Sequence, residues 1–194
     1  MSNNVLEILT EEPSMENFLK VILPKILPNG YVLGVNCFIR PHEGKSNLRK
    51  SIPIKLKALA YYKQKVKVLI IHDQDSNDCL KLKMDLINLC GKDCPLPILI
   101  RIACKELENW YLGDLNALES VYPETKATKY SGSSKFRNPD KVFGSFEIEK
   151  MSKNFSKSYA SREIPKYMDL SNNKSQSFNH LIKGLKSFLA TSSN

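Results

Sequence analysis

The hydrophobic pattern of the chain alternates between short apolar runs and longer amphipathic segments. Four apolar runs rich in β-branched residues predict buried strands at residues 5–10, 31–40, 66–71 and 97–104. The third run is almost continuously apolar, which is typical of a central parallel strand covered on both faces. Because amphipathic segments separate the runs, the pattern predicts an α/β fold with a mostly parallel central sheet covered by helices.

Local signals predict where the helices begin and which faces they bury. Ser14 is expected to cap the first helix, and Ser76 or Asn77 to cap the third, because short polar side chains favour that position. Pro53 is expected to divide the second helix in two. The residues of the third helix expected to face inward are Leu80, Met84 and Ile87.

The alternating pattern weakens after residue 124, where we place a soft boundary between an α/β domain (1–124) and a C-terminal extension (125–194). The extension reads as a loop followed by helices, and we expect it to pack on the same domain. Residues 1–124 carry 16 Lys and Arg against 15 Asp and Glu, whereas residues 125–194 carry 13 against 5. This basic third fits either a surface that contacts a phosphate backbone or a solvated tail.

The chain has no apolar run of the roughly 18 to 20 residues needed to cross a bilayer. Its N-terminus also lacks the basic start and apolar core of a signal peptide. The five cysteines are scattered through apolar segments, as expected of reduced thiols. We therefore expect a cytoplasmic protein that does not associate with membranes.

Acidic side chains follow three of the predicted strands. Because the carboxyl ends of parallel strands meet at one edge of a sheet, these side chains are expected to converge there. Clustered carboxylates are the ligands that Mg²⁺ or Mn²⁺ would require, although any single pair could merely complement the dipole of a following helix. The three pairs are Glu11 and Glu12, Asp73 and Asp75, and Glu106 and Glu108.

Two of these segments resemble known motifs. LTEEPS resembles the first Toprim motif, in which a strand delivers a glutamate into a tight turn, and IIHDQD resembles the second, a strand ending in Asp-x-Asp. With PHEGKSNL and RIACKELENWYLGD, they make residues 5 to about 124 similar to a Toprim-like family of uncharacterised bacterial proteins. That family is similar to the nuclease domains of overcoming-lysogenization-defect systems; it often neighbours an ABC-type ATPase and is suspected of phage defence.

The resemblance implies a Toprim/Rossmann-like sheet and assigns roles to the acidic residues. Glu11 would take the part of the Toprim glutamate, a general acid or base that also contacts metal, while Asp73 and Asp75 would ligate Mg²⁺. Toprim turns usually have glycine after the glutamate; here Glu12 stands there and competes with Glu11 for the metal.

The remaining candidate residues are inferred from their positions in the sequence and not from the resemblance. Glu108 is expected to point inward and join the ligands ahead of Glu106, because Leu107 and Trp110 are needed for packing. The segment around Lys45 lacks the glycine spacing of a nucleotide-binding loop, but Lys45 and Arg49 are candidates for phosphate contact.

These features together predict a Mg²⁺-dependent nuclease, with DNA or RNA as the open choice of substrate. A tyrosine nucleophile competes with hydrolysis, but no tyrosine stands out. An Asp-x-Asp phosphatase is disfavoured because the motif follows a later strand and precedes Ser76 and Asn77. The alternative from another class is a regulatory subunit that binds a partner ATPase and has little activity alone.

Overall fold

Four parallel strands form the centre of the computed structural model, which describes residues 3–190. The strands lie in the order β2-β1-β3-β4, so β1 and β3 are the inner pair. The predicted α/β class with a parallel, helix-covered sheet is confirmed. The strand bounds are β1 Asn4–Thr10, β2 Cys37–Pro41, β3 Lys65–Asp73 and β4 Ile98–Ala103.

Helices cover both faces of this sheet. Helices α2 and α3 bury one set of alternating strand side chains, and α1 and α8 bury the other, with α7 packed against α1. The helix bounds are α1 Pro13–Ile26, α2 Lys45–Leu59, α3 Cys79–Cys90, α4 Glu108–Leu112, α5 Leu115–Val121, α6 Gly144–Met151, α7 Lys157–Tyr167 and α8 Gln176–Ala190. Short 3₁₀ turns lie at Pro123–Thr125, Ala127–Tyr130 and Pro139–Lys141.

The C-terminal third shares the hydrophobic core of the sheet. Phe178 of α8 packs against Trp110 and Phe18, with ring centroids 5.7 and 6.2 Å away. The indole N–H of Trp110 also donates a hydrogen bond to Ser177 Oγ at 2.9 Å. Trp110 is fully buried, as predicted, and so is its neighbour Tyr111, so both are core residues rather than surfaces on which bases could stack.

The second strand is shorter than predicted, because residues 31–36 form a turn that precedes β2. The side chain of Asn36 organises this turn: its Oδ1 accepts from Val32 N–H at 2.7 Å, and its Nδ2 donates to Gly30 O at 2.7 Å. Asn36 Nδ2 also donates to Asn4 O at 3.0 Å, which anchors the turn to β1. Side-chain hydrogen bonds therefore replace the ladder that the apolar pattern suggested.

Helix α2 runs uninterrupted through Pro53, so the predicted division there is wrong. The proline ring lies on the exposed side of the helix, while the opposite side buries four apolar side chains against the sheet. Burial of that face offsets the cost of one missing backbone hydrogen bond. The buried residues are Leu48, Ile52, Leu56 and Leu59.

The caps also differ from the prediction. Helix α1 begins at Pro13 after Glu12, rather than after Ser14, because proline is well suited to the first helical position. Helix α3 is capped by Asp78 rather than by Ser76 or Asn77, and the Asp78 carboxylate accepts the N–H three residues on at 2.8 Å. Each helix therefore starts within two residues of its expected position.

The buried face of α3 is the reverse of the predicted one. Leu80, Met84 and Ile87 are 75%, 64% and 51% exposed, whereas Leu82 and Leu86 are buried against the sheet. Both sets recur at helical spacing, so periodicity alone does not separate them. The path of the chain from β3 into α3 turns the second set inward.

No helix within residues 3–190 has the length and apolar character needed to span a membrane. The five cysteines are all free thiols.

Candidate functional site

The carboxyl ends of the two inner strands bring Glu11 and Asp73 together. In the parallel register Thr10 pairs with Ile71, so the next residue, Glu11, lies beside the end of β3. Glu11 is 8% exposed, and its Oε2 accepts the backbone N–H of Asp73 at 3.3 Å. The predicted convergence of these two residues therefore follows directly from the register of β1 and β3.

His72 is a neighbour of this pair that sequence reasoning missed. Its ring is 1% exposed, and Nδ1 lies 2.6 Å from Asp73 O and 3.1 Å from Glu11 Oε2. Burial lowers the pKa of His72, which favours the neutral ring. A proton on Nδ1 would face both acceptors and hold the Glu11 carboxyl in place. The available signal was a histidine inside an apolar strand, next to the Asp-x-Asp sequence.

Burial and like charges disfavour ionisation of both carboxyls. Burial is the main cause that raises the pKa of Glu11 to about 7, and the charges of Asp75 and Glu12 add to it. The pKa of Asp73 is also raised well above its usual value, first by burial and then by the charges of Glu11 and Glu108. A bound cation would relieve this repulsion.

Glu108 lies near this pair but is partly neutralised by Lys157 of α7. It is 2% exposed, and burial raises its pKa to about 7 even though Lys157 lowers it. Lys157 Nζ lies 3.6 Å from Glu108 Oε2 and 3.1 Å from Glu106 Oε2. The lysine thus places a positive charge beside the acidic group from a segment 49 to 51 residues further along the chain.

Glu106 is committed to structural contacts. Its Oε1 accepts both the N–H and the hydroxyl of Ser145 at 2.7 Å, at the start of α6. Burial raises the pKa of Glu106, but the Ser145 hydrogen bonds and Lys157 outweigh that effect and lower it overall. Glu106 therefore anchors α6, and we do not assign it as a metal ligand.

Asp75 and Glu12 stand at the exposed rim. Asp75 has φ +52°, and its N–H donates to Lys105 O at 2.7 Å, which turns the chain sharply after β3. Its Oδ2 lies 3.2 Å from Lys45 Nζ. Glu12 is exposed, and its charge raises the pKa of Asp73, so it too lies near the cluster.

The first turn of α2 brings cationic groups to the same rim. The helix begins at Lys45 after Gly44, which has φ +85° and donates its N–H to Glu11 O at 2.9 Å. Arg49, one turn on, lies 3.7 Å from Asp85 and lowers the pKa of His72. The start of a helix is electropositive, so this rim suits an anion.

Three buried polar atoms around the acidic group have no hydrogen-bond partner within residues 3–190. They are Thr10 Oγ1 at the end of β1, His72 Nε2 on β3 and the hydroxyl of Tyr111 on α4. Burial is the main cause that raises the pKa of Tyr111, and the charges of Glu108 and Asp73 add to it. This hydroxyl therefore lies near both carboxyls. Buried polar groups normally have partners, and their grouping here is typical of a functional site.

The carboxylates suit a magnesium ion, although they do not form a complete cage. Among the residues described, no three His, Cys, Asp or Glu side chains are grouped closely enough to hold a metal by themselves. Mg²⁺ commonly retains several waters and binds through one or two carboxylates together with substrate phosphates. Glu11 and Asp73 are the two carboxyls that could bind an ion in this way, and burial disfavours the ionised form of both.

The fold and site together define an α/β protein that carries a buried acidic cluster at the carboxyl edge of a parallel sheet. The chain belongs to the family described as Domain of unknown function (DUF4276), which matches residues 10–186. No curated protein and no solved structure matches the chain.

Proposed function

We propose that the chain is a Mg²⁺-dependent nuclease that hydrolyses phosphodiester bonds at the carboxyl edge of its sheet. The observation that carries this proposal is the pairing of Glu11 and Asp73, two carboxyls kept at adjacent strand ends despite burial and mutual repulsion. Such an arrangement is costly without a cation and characteristic of sites that bind one. The resemblance of the two surrounding segments to Toprim motifs supports the same chemistry.

The acidic residues would have different roles in this reaction. Glu11 and Asp73 would hold Mg²⁺ or Mn²⁺, and Asp75 and Glu108 would join them when Lys45 and Lys157 move away. A bound divalent ion neutralises phosphate charge and activates a water as nucleophile. If Asp73 alone carries the ion, the Glu11 carboxylate, with a metal-free pKa of about 7, is instead suited to accept the proton of the attacking water.

The cationic rim would bind the phosphodiester. Lys45 is half-exposed in its ion pair with Asp75, and exposed ion pairs contribute little to stability. A substrate phosphate can therefore replace Asp75 as the partner of Lys45, which frees the Asp75 carboxylate for the metal. Arg49 and the first turn of α2 add positive potential on the same side.

Cleavage assays on the purified chain test this proposal. Plasmid DNA, single-stranded DNA and RNA are incubated with Mg²⁺ or Mn²⁺, and we expect cleavage of at least one of them that EDTA abolishes. Glu11→Gln and Asp73→Asn should each lower the rate by about 10²-fold or more, because each removes a charge needed at the metal. Asp93→Asn is the matched control, since Asp93 is exposed and precedes β4, at the amino ends of the strands.

Calorimetric titration with Mg²⁺ separates binding from catalysis. Cleavage that persists in both site variants would refute the assignment of the residues. Metal binding that depends on Glu11 and Asp73, without cleavage of any substrate, would refute nuclease activity of the chain alone. That outcome would favour the regulatory subunit, in which a partner such as an ABC-type ATPase completes the system; co-purification with such an ATPase would then test it.

A further inference from the structure

A groove runs along the open edge of the sheet, away from the acidic cluster. It has a volume of about 970 Å³ and follows β4 between α3 and α8. Strand β4 is the last in the order β2-β1-β3-β4, so within residues 3–190 it has a strand neighbour on one side alone. An open strand edge between two helices is a position where another strand can add.

The register shows which backbone groups of β4 face this groove. N–H groups at the two ends of the β3 ladder donate to the carbonyls of Pro97 and Ala103, at 3.0 and 2.9 Å. In a parallel pair the residues that bond to the neighbouring strand alternate with residues that point away from it. The residues whose N–H and C=O groups point into the groove are therefore Ile98, Ile100 and Ile102.

Two contacts agree with this orientation. The N–H of Cys104, the next residue of the same parity, points outward and donates to Ser177 Oγ at 3.3 Å. The carbonyl of Ile100 accepts from Arg101 Nη1 at 2.9 Å, so part of this edge is already in contact with a cationic side chain. A strand added here would extend the sheet along Ile98, Ile100 and Ile102, and its N–H opposite the Ile100 carbonyl would share that acceptor with Arg101.

The two sides of the groove differ in chemistry. Ile100 and Ile102 project toward α3 and make that side apolar. Arg101 projects toward α8, where its Nε donates to His180 O at 3.0 Å, and Lys183 lines the same side. Because neighbouring side chains of an added strand would point to opposite sides, the groove favours alternating apolar and acidic residues.

The charges of the lining favour an acidic occupant over a second copy of the chain. The cationic lining residues are Lys83, Arg101, Lys141 and Lys183, and the three lysines make no ion pair within residues 3–190. The carboxylate of Asp140 already accepts hydrogen bonds from Ser175 and Ser177. Two copies would bring like charges together, and the whole chain carries a net charge of +9.

We propose that this edge binds an extended segment of a partner protein, with alternating apolar and acidic residues, as a fifth strand beside β4. The partner's backbone pairs with the three isoleucines, its apolar side chains pack toward α3, and its carboxylates face Arg101 and Lys183. The interface uses none of the residues assigned to metal or phosphate binding, so it does not depend on the nuclease proposal.

Synthetic peptides of about eight residues, enough to pair with the six of β4, test this binding mode. The probe is a fluorescein-labelled Val-Glu repeat, compared with a Val-Gln repeat and with a Val-Glu repeat that is N-methylated at alternate residues. We expect the Val-Glu peptide to bind at least about tenfold more tightly than either comparison peptide. It should also slow amide hydrogen exchange at Ile98, Ile100 and Ile102.

Charge reversal at the groove provides the matched comparison. Lys83→Glu combined with Lys183→Glu should weaken binding of the Val-Glu peptide by about tenfold or more. Lys50→Glu combined with Lys57→Glu makes the same charge change on exposed positions of α2 and should leave binding within about twofold. All four lysines are exposed, so both variants should fold.

Equal affinity for the Val-Glu and Val-Gln peptides would overturn the proposal, as would binding that leaves the exchange of the three isoleucine amides unchanged. A single-stranded oligonucleotide that protects these amides and displaces the peptide would assign the groove to nucleic acid instead. A rise in molecular mass with protein concentration, lost in Ile100→Pro, would assign it to a second copy.

Discussion

Replacing Glu11 with glutamine should change how the stability of the metal-free protein depends on pH. The pKa of this buried carboxyl is about 7 in the folded chain, compared with 4.5 for an ordinary glutamate. The folded state therefore keeps its proton longer than the unfolded state does. The resulting stabilisation is fully present below pH 4.5 and is lost as the pH rises through 7.

The magnitude follows from the two pKa values. Their difference corresponds to about 3 kcal/mol of unfolding free energy, because each pKa unit is worth about 1.4 kcal/mol. Glutamine resembles the protonated carboxyl and does not titrate. We therefore expect Glu11→Gln to match the parent chain near pH 4.5 and to exceed its stability by up to about 3 kcal/mol at pH 8.

Urea unfolding in EDTA, followed by the fluorescence of the single tryptophan, Trp110, measures this difference. Glu149→Gln is the control, since the carboxylate of Glu149 is exposed on α6 and is not among the charges that shift the pKa of Glu11. Added Mg²⁺ should stabilise the parent chain at pH 8 and have little effect on Glu11→Gln. If the parent and the variant kept the same difference in stability from pH 5 to pH 8, the assigned burial of the Glu11 carboxyl would be wrong.

Two further predictions concern packing, and thermal unfolding measures both. Leu86→Ala should cost about 2–5 kcal/mol because Leu86 is fully buried, whereas Met84→Ala on the exposed face of α3 should cost less than about 0.5 kcal/mol; similar losses would mean that α3 is oriented wrongly. Gly144→Ala should cost about 1–3 kcal/mol because its Cβ would lie 2.5 Å from the backbone of Asn109, while Gly132→Ala has open space and should be neutral. Equal melting temperatures for the two glycine variants would contradict the close approach of α6 to α4.

The parallel sheet and its acidic edge could be predicted because each follows from a local signal. β3 shows its central position through a continuous apolar run, since a strand covered by helices on both faces has no polar side. Once the strands are known to be parallel, their carboxyl ends must share an edge, and the adjacency of β1 and β3 then brings Glu11 and Asp73 together. No knowledge of side-chain packing is needed for that step.

The face of α3 and the continuity of α2 could not be predicted, because both depend on tertiary packing. In α3, two apolar stripes of similar spacing are present, and the direction of the crossover from β3 selects Leu82 and Leu86. In α2, the effect of Pro53 depends on whether its ring faces solvent or the sheet. Neither fact is encoded within the helix itself.

For a related reason Lys157 was missed as a neighbour of the site, and Tyr111 was not distinguished from the other tyrosines. Each has an ordinary local setting, in a basic stretch and in an aromatic helix respectively. Their importance arises from contacts between residues that are far apart in the sequence. The ammonium group of Lys157 reaches Glu108 from α7, and the phenol of Tyr111 is buried near Glu108 and Asp73. Long-range contacts of this kind are not visible in spacing along the chain.

The positive charges of the basic C-terminal third lie in two different surroundings. Part of its positive charge is used internally: Lys135 lies 2.5 Å from Glu147, and Lys157 balances the buried Glu108. Other cations, such as Lys141 and Lys183, line the groove beside β4 without an ion pair in the part of the chain described. The excess charge of this third is therefore partly paired within the fold and partly located in the groove for which we propose an acidic partner.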